Sequence, residues 1–134
     1  MEQAFWTVLT GTLVIAFGKI IEAICINPYL SYKKVIGEIT YQLIFYTQAY
    51  SSNHVKKELH DEASDTFRKS ASRLQTYYNA IAWMKWFVPT REEVNKATSS
   101  LIGLSNATPP RNEGTHNTKW VNTIREMLNI EYIE

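Results

Sequence analysis

The chain has 134 residues, with 14 basic and 13 acidic side chains, a formal charge of +1 and one cysteine. So even a balance offers no broad basic surface for nucleic acid, and no nucleic-acid partner is expected. The lone Cys25 excludes a disulfide-stapled secreted scaffold, and the roughly one hundred residues that follow the first segment suffice for one hydrophobic core, not comfortably two.

From Ala4 to Gly18 there is no charged residue, and the apolar run continues through Ile20, Ile21, Ala23, Ile24, Cys25 and Ile26. A helix over Ala4 to Ile26 rises about 34 Å, enough for a hydrocarbon core of about 30 Å. Residues 1–28 are therefore predicted to be a transmembrane anchor whose partner is the lipid bilayer. Lys19 and Glu22 oppose insertion, since a mid-membrane lysine costs on the order of 3 kcal/mol. Both lie toward one end, Lys19 can snorkel, and the spacing of three puts the pair on one helix face where they can neutralise each other. Three other readings compete. A signal peptide wants a basic start and a small-residue cleavage site, which Met1-Glu2-Gln3 and the following run do not supply. A buried core helix is a common fate of apolar runs shorter than a full span. An interfacial helix needs a charged face, which Phe5 to Phe17 lacks.

Thr7, Gly11 and Gly18 fall on nearly one face of this helix, and small residues there let two backbones approach, which opens the span to a homo-oligomer. Lys19, Lys33 and Lys34 lie at or beyond its far end, against Glu2 alone before it. That asymmetry predicts an outside N-terminus and a cytoplasmic remainder, with Trp6 at one boundary and Tyr29 and Tyr32 at the other.

The step Asn27-Pro28 predicts a break or kink, because a residue before proline is pushed out of helical geometry. Residues 29–134 are then a cytoplasmic helical domain. Tyr32, Val35, Ile36, Ile39, Leu43, Tyr46 and Tyr50 recur at spacings of three and four, predicting a helix from Tyr29 to Tyr50. Ile39 to Tyr46 is rich in β-formers, but no second strand-like run exists to pair with it. Ser51 to Ser64 is polar and reads as containing a loop, with Val55 to Leu59 an alternative early start of the next helix. Phe67, Ala71, Leu74, Tyr78 and Ile81 predict a helix from about Ser64 to Trp86, stopped by Pro89. Thr90-Arg91-Glu92-Glu93 is a candidate capping box that opens another helix, with the stripe Val94, Ala97, Leu101 and Leu104. Pro109 and Pro110 forbid its continuation, and a polar linker over 105–117 is expected. From Thr118, the residues Val121, Ile124 and Leu128 form one face of a last helix. The inferred fold is all-α: one N-terminal transmembrane helix followed by a small antiparallel bundle of about four helices.

Chemistry-bearing constellations are scarce. His54, His60 and His116 are scattered through predicted loops, and His60-Asp61-Glu62 lacks the further ligands that a metal needs. Gly103-Leu104-Ser105-Asn106-Ala107 lacks the last glycine of a nucleophile elbow and follows a helical pattern instead of a strand. No glycine-rich phosphate loop is present, and Arg68, Lys69 and Arg73 read as a solvated helix face. No catalytic, metal or cofactor site is predicted, and the chain is not expected to be an enzyme. The cluster Tyr77, Tyr78, Trp83, Lys85, Trp86 and Phe87 fits three roles: the core of a small bundle, contact with lipid headgroups, or a hot spot for a protein partner.

Ile36-Gly37-Glu38-Ile39 with Leu43-Ile44-Phe45-Tyr46, Phe67-Arg68 with Ala71 and Leu74, and Val88-Pro89-Thr90 leading to Leu101-Ile102-Gly103-Leu104-Ser105-Asn106 carry a resemblance. The stretch from Ile36 to Asn106 resembles a group of small bacterial membrane-anchored proteins with no established activity. The resemblance implies the bacterial inner membrane and brings no site residues. The expected function is a single-pass interaction or assembly module with an unknown protein partner. The alternative is a membrane-perturbing or pore-forming effector, motivated by Lys19 and Glu22, because ionisable residues near a span's end can line an aqueous path in an oligomer.

Overall fold

The computed structural model describes residues 1–52, 54–108 and 115–131, the side chains of 115 and 116 excepted. Among them there is no strand. The helices are α1 (Glu2–Ile21), α2 (Asn27–Phe45), the short α3 (Thr47–Ser51), α4 (Lys57–Ile81), α5 (Arg91–Asn106) and α6 (Thr115–Leu128).

The break expected at Asn27-Pro28 does not occur. A π-helical turn over Glu22–Ile26 joins α1 to α2, so that Glu2–Phe45 is one helix of 44 residues, about 66 Å long. Asn27 keeps right-handed helical angles, φ −62° and ψ −46°, and its N–H reaches back to the Glu22 carbonyl. The wider turn gives room to the pyrrolidine ring and absorbs the missing N–H of Pro28 without ending the helix.

Along this helix the character changes abruptly. None of the residues of α1 is buried, whereas α2 buries Tyr32, Val35, Ile39 and Leu43. These meet Phe67, Ala71, Leu74, Tyr78 and Ile81 of α4, Val94, Ala97, Leu101 and Leu104 of α5, and Val121, Ile124 and Leu128 of α6 in one core. Each large apolar side chain so enclosed contributes about 1.5–3 kcal/mol.

Polar contacts tie the helices in register. Arg73 pairs with Glu38 at 2.5 Å, the Ser70 hydroxyl donates to Gln42 at 2.5 Å, and the Tyr46 hydroxyl donates to Glu62 at 2.8 Å. Ser64 and Ser105 exchange hydrogen bonds, each hydroxyl donating to the other's carbonyl, at 2.9 and 2.7 Å. Arg68 donates to Asn106, and Lys69 pairs with Asp65 at 2.6 Å. Arg68 and Arg73 thus bridge to neighbouring helices, whereas Lys69, paired with Asp65 one turn back on α4, stays on the solvated face.

Several boundaries differ from the sequence reading. The helix expected to reach Tyr50 ends at Phe45, where Tyr46 leaves helical geometry, and Thr47 donates to the carbonyls of Leu43 and Ile44. α4 starts at Lys57, earlier than Ser64, because the buried stripe extends back through Ala63 to His60. It ends at Ile81 instead of Trp86. Between Ile81 and Pro89 the chain makes successive tight turns, with Met84 N–H bonded to the Ile81 carbonyl and Phe87 N–H to that of Met84.

The capping box is present as expected: the Thr90 hydroxyl accepts from the Glu93 N–H, and the Glu93 carboxylate accepts from the Thr90 N–H at 2.6 Å. α6 starts at Thr115, ahead of Thr118, and Asn117 donates its amide to the Tyr50 carbonyl. The linker expected over 105–117 is therefore helical at both ends, and its middle, with Pro109 and Pro110, lies outside the described residues. α6 closes on Asn129, whose φ of 52° is a left-handed conformation that asparagine tolerates well.

Candidate functional site

The residues singled out from the sequence fall into three places. The first is the face of α1. Thr7 spends its hydroxyl on the Gln3 carbonyl at 2.9 Å, and a Cβ built on Gly11 or Gly18 would meet nothing within 4 Å. That face is open along its length. Lys19 and Glu22 pair with each other at 3.2 Å, as their spacing predicts. With no buried residue in α1, the core-helix reading of the apolar run falls away.

The second is the turn after α4, where the aromatic cluster divides. Tyr78 belongs to the core at 3% exposure, its hydroxyl donating to the Pro89 carbonyl at 2.9 Å, so it is no surface contact residue. Burial, with the nearby Glu93 carboxylate acting against the Arg91 guanidinium, raises its phenol pKa. Tyr77 is half-buried. Trp83, Trp86 and Phe87 are 57%, 93% and 74% exposed, which overturns core burial for these three. The physical cause is the end of α4 at Ile81. Val88 is drawn into the core instead, and together with the Tyr78 bond it pins the turn's far end, leaving the aromatics outside.

This turn lies beside the start of α2. Trp86 and Phe87 share a cleft with Tyr32 and Lys33, within about 10 Å along the helix axis of Ile26, where the apolar run ends. Lys33 sits over the Tyr29 ring at 5.8 Å, and on the other side of the turn Lys85 and Arg91 line a second cleft with Tyr78. Exposed aromatics and cations therefore surround the point where the long helix leaves the domain.

The third place was not legible in advance. Tyr41, Ile44 and Phe45 are 63%, 53% and 55% exposed on the outer side of α2, and the Tyr41 and Phe45 rings stack at 5.5 Å. Their positions off the buried stripe Ile39, Leu43 and Tyr46 were the available signal.

His60, expected in a loop, is buried at 4% exposure within α4, and neither ring nitrogen has a hydrogen-bond partner among the described residues. Counting back seven from Phe67 places it on the buried stripe. Among the described residues no group of His, Cys, Asp and Glu is arranged to hold a metal ion. His54 precedes α4 in irregular chain, and the His116 side chain lies outside the described residues. Ser105 is buried and bonded to Ser64 at the end of α5, which is a helix terminus and not an elbow.

Together these features define an all-helical protein with one helix long and apolar enough to cross a membrane, near its N-terminus. No family model matches the chain, and no curated protein or solved structure matches it.

Proposed function

We propose that this chain is a non-enzymatic single-pass membrane protein whose helical domain serves as an interaction or assembly module at the membrane surface. The observation that carries the reading is that α1 is apolar from Ala4 to Gly18 and buries none of its residues, while the rest of the chain has a core of its own. A helix so apolar and so unpacked needs a non-aqueous solvent. The uninterrupted passage of α1 into α2 supports a domain held directly against the bilayer. Trp83, Trp86 and Phe87, with Lys33, Lys85 and Arg91 near them, match a boundary that is apolar on one side and wet and anionic on the other.

We further read α2, α4, α5 and α6 as an antiparallel bundle. Supporting this are pairs whose numbers run in opposite senses: Tyr32 with Tyr78, Glu38 with Arg73 and Tyr46 with Glu62, then Asn79 with Arg91, Gln75 with Thr98 and Arg68 with Asn106. The open face of Thr7, Gly11 and Gly18 supports a second copy as the partner within the span, and exposed Tyr41, Ile44 and Phe45 support a protein contact outside it. The basic residues past the span favour the N-terminus outside and the domain in the cytoplasm, at the bacterial inner membrane that the resemblance implies. Pairing of Lys19 with Glu22 in one chain favours a plain span over one that lines an aqueous path. Crosslinking and blue-native electrophoresis of the solubilised chain test the assembly: a dimer lost in Gly11→Leu with Gly18→Leu is expected, and a monomer indifferent to both substitutions refutes it.

A further inference from the structure

The cleft between the aromatic turn and the start of α2 has a charge pattern that neither a simple anion nor a simple cation satisfies. It encloses about 360 Å³, and its lining includes Tyr32, Lys33, Trp86, Phe87, Glu93 and Glu126. Two carboxylates repel a lone phosphate, and one lysine opposes a lone cation. Tyr32 adds a second and independent observation. It is only 1% exposed, yet its hydroxyl has no hydrogen-bond partner among the described residues. Leaving a buried hydroxyl unmatched costs free energy, and a ligand oxygen would relieve it.

We propose that this cleft binds the headgroup of a phosphoethanolamine lipid. The phosphate oxygens accept from the Lys33 ammonium and, once a side-chain shift at the rim uncovers it, from the Tyr32 hydroxyl, and the ligand's primary ammonium donates to the carboxylates of Glu126 and Glu93. Glu93 is kept anionic by the Thr90 N–H, which lowers its pKa, and by the Thr90 hydroxyl. Trp86 and Phe87 form the rim on the side of the acyl chains. Tyr32 and Lys33 stand about 9–10 Å past Ile26, just beyond a headgroup layer some 5–8 Å deep on each side of the hydrocarbon, a gap of a few ångströms that the long Lys33 side chain spans. A choline headgroup carries the same charge but has no N–H to donate, and a glycerol headgroup has no cation. Selectivity for the primary amine follows from that difference.

This inference rests on the domain lying against the bilayer, and the test separates the two. The full chain in non-ionic detergent is titrated with short-chain phosphatidylethanolamine, phosphatidylcholine, phosphatidylglycerol and soluble O-phosphoethanolamine, and bound ligand is counted by native mass spectrometry. One saturable phosphatidylethanolamine site is expected, at least roughly tenfold tighter than either other lipid. Glu126→Gln should weaken that binding severalfold while leaving phosphatidylglycerol association unchanged, Tyr32→Phe should weaken both because both lipids carry the phosphate, and neither should lower the melting temperature of the lipid-free chain. Equal binding of the three lipids, or phosphatidylethanolamine binding indifferent to both substitutions, overturns the proposal. Binding of the soluble compound as tight as that of the lipid overturns the lipid assignment. Tryptophan quenching by brominated phosphatidylglycerol bilayers, read in a Trp6→Phe background, reports the domain's membrane proximity separately. Quenching without amine selectivity would sink the cleft alone, and absence of quenching would sink the underlying placement.

Discussion

Trp86 offers the sharpest separation between a surface role and a structural one. At 93% exposure, about 20 Å² of its side-chain surface is covered by the rest of the protein, so Trp86→Ala should cost about 0.5 kcal/mol of stability. For a core this size that lowers the melting temperature by about 3 °C. Phe67→Ala, at a position with 0% exposure, is the contrast, with an expected loss of about 3–5 kcal/mol. If the bilayer covers half of the Trp86 surface, the same coefficient gives about 3 kcal/mol, a roughly 150-fold change in the equilibrium between a docked and a lifted turn. The assay uses the full chain in nanodiscs with brominated lipids. Fluorescence quenching in Trp6→Phe with Trp83→Phe is compared before and after a further Trp86→Phe, and calorimetry follows the melts. Strong quenching that disappears with Trp86, together with an almost unchanged melt, is expected. Unquenched emission from Trp86 with a melting loss above about 10 °C would refute the reasoning.

A Cβ on Gly103 would stand 2.8 Å from the Trp120 ring, so Gly103→Leu should lose about 1–3 kcal/mol in denaturant titration, and adding Trp120→Ala should recover part of it; additive losses would contradict the contact. His60→Met removes two unpartnered buried ring nitrogens, and stability should stay level or rise by about 1 kcal/mol, whereas a loss above about 2 kcal/mol would show that the imidazole has a partner. Glu93 has a lowered pKa through its bonds to Thr90, so the cap's contribution is complete above the ordinary carboxylate value of 4.5 and is lost as pH falls through the depressed folded value. The melting gap between the natural chain and Glu93→Gln should therefore be constant near neutrality and close in acid, and a gap that widens in acid would contradict that sign.

Composition and periodicity alone determined the apolar first helix, the helical class, the stripe from Phe67 to Ile81 and the capping box at Thr90. Each is a local property: charge-free length, a repeat near 3.6 residues, or a bond spanning three residues. The same signals misplaced the edges. Local preference before Pro28 argued for a break, and a helix already running in both directions overrode it through the π turn Glu22–Ile26. The stripe stepping by four and three from Phe67 leads past Ile81 to Lys85 and Val88, which leaves Trp83 and Trp86 off it, yet their apolar bulk argued for the core. Only the tertiary structure decided the matter, because burial depends on what stands opposite. Val88 and the Tyr78 hydroxyl take the inward places and turn the aromatics out. The cleft is of the same kind: Tyr32, Trp86, Glu93 and Glu126 come from α2, the turn, α5 and α6. No spacing along the chain could bring them together, since their meeting is a consequence of how the helices pack.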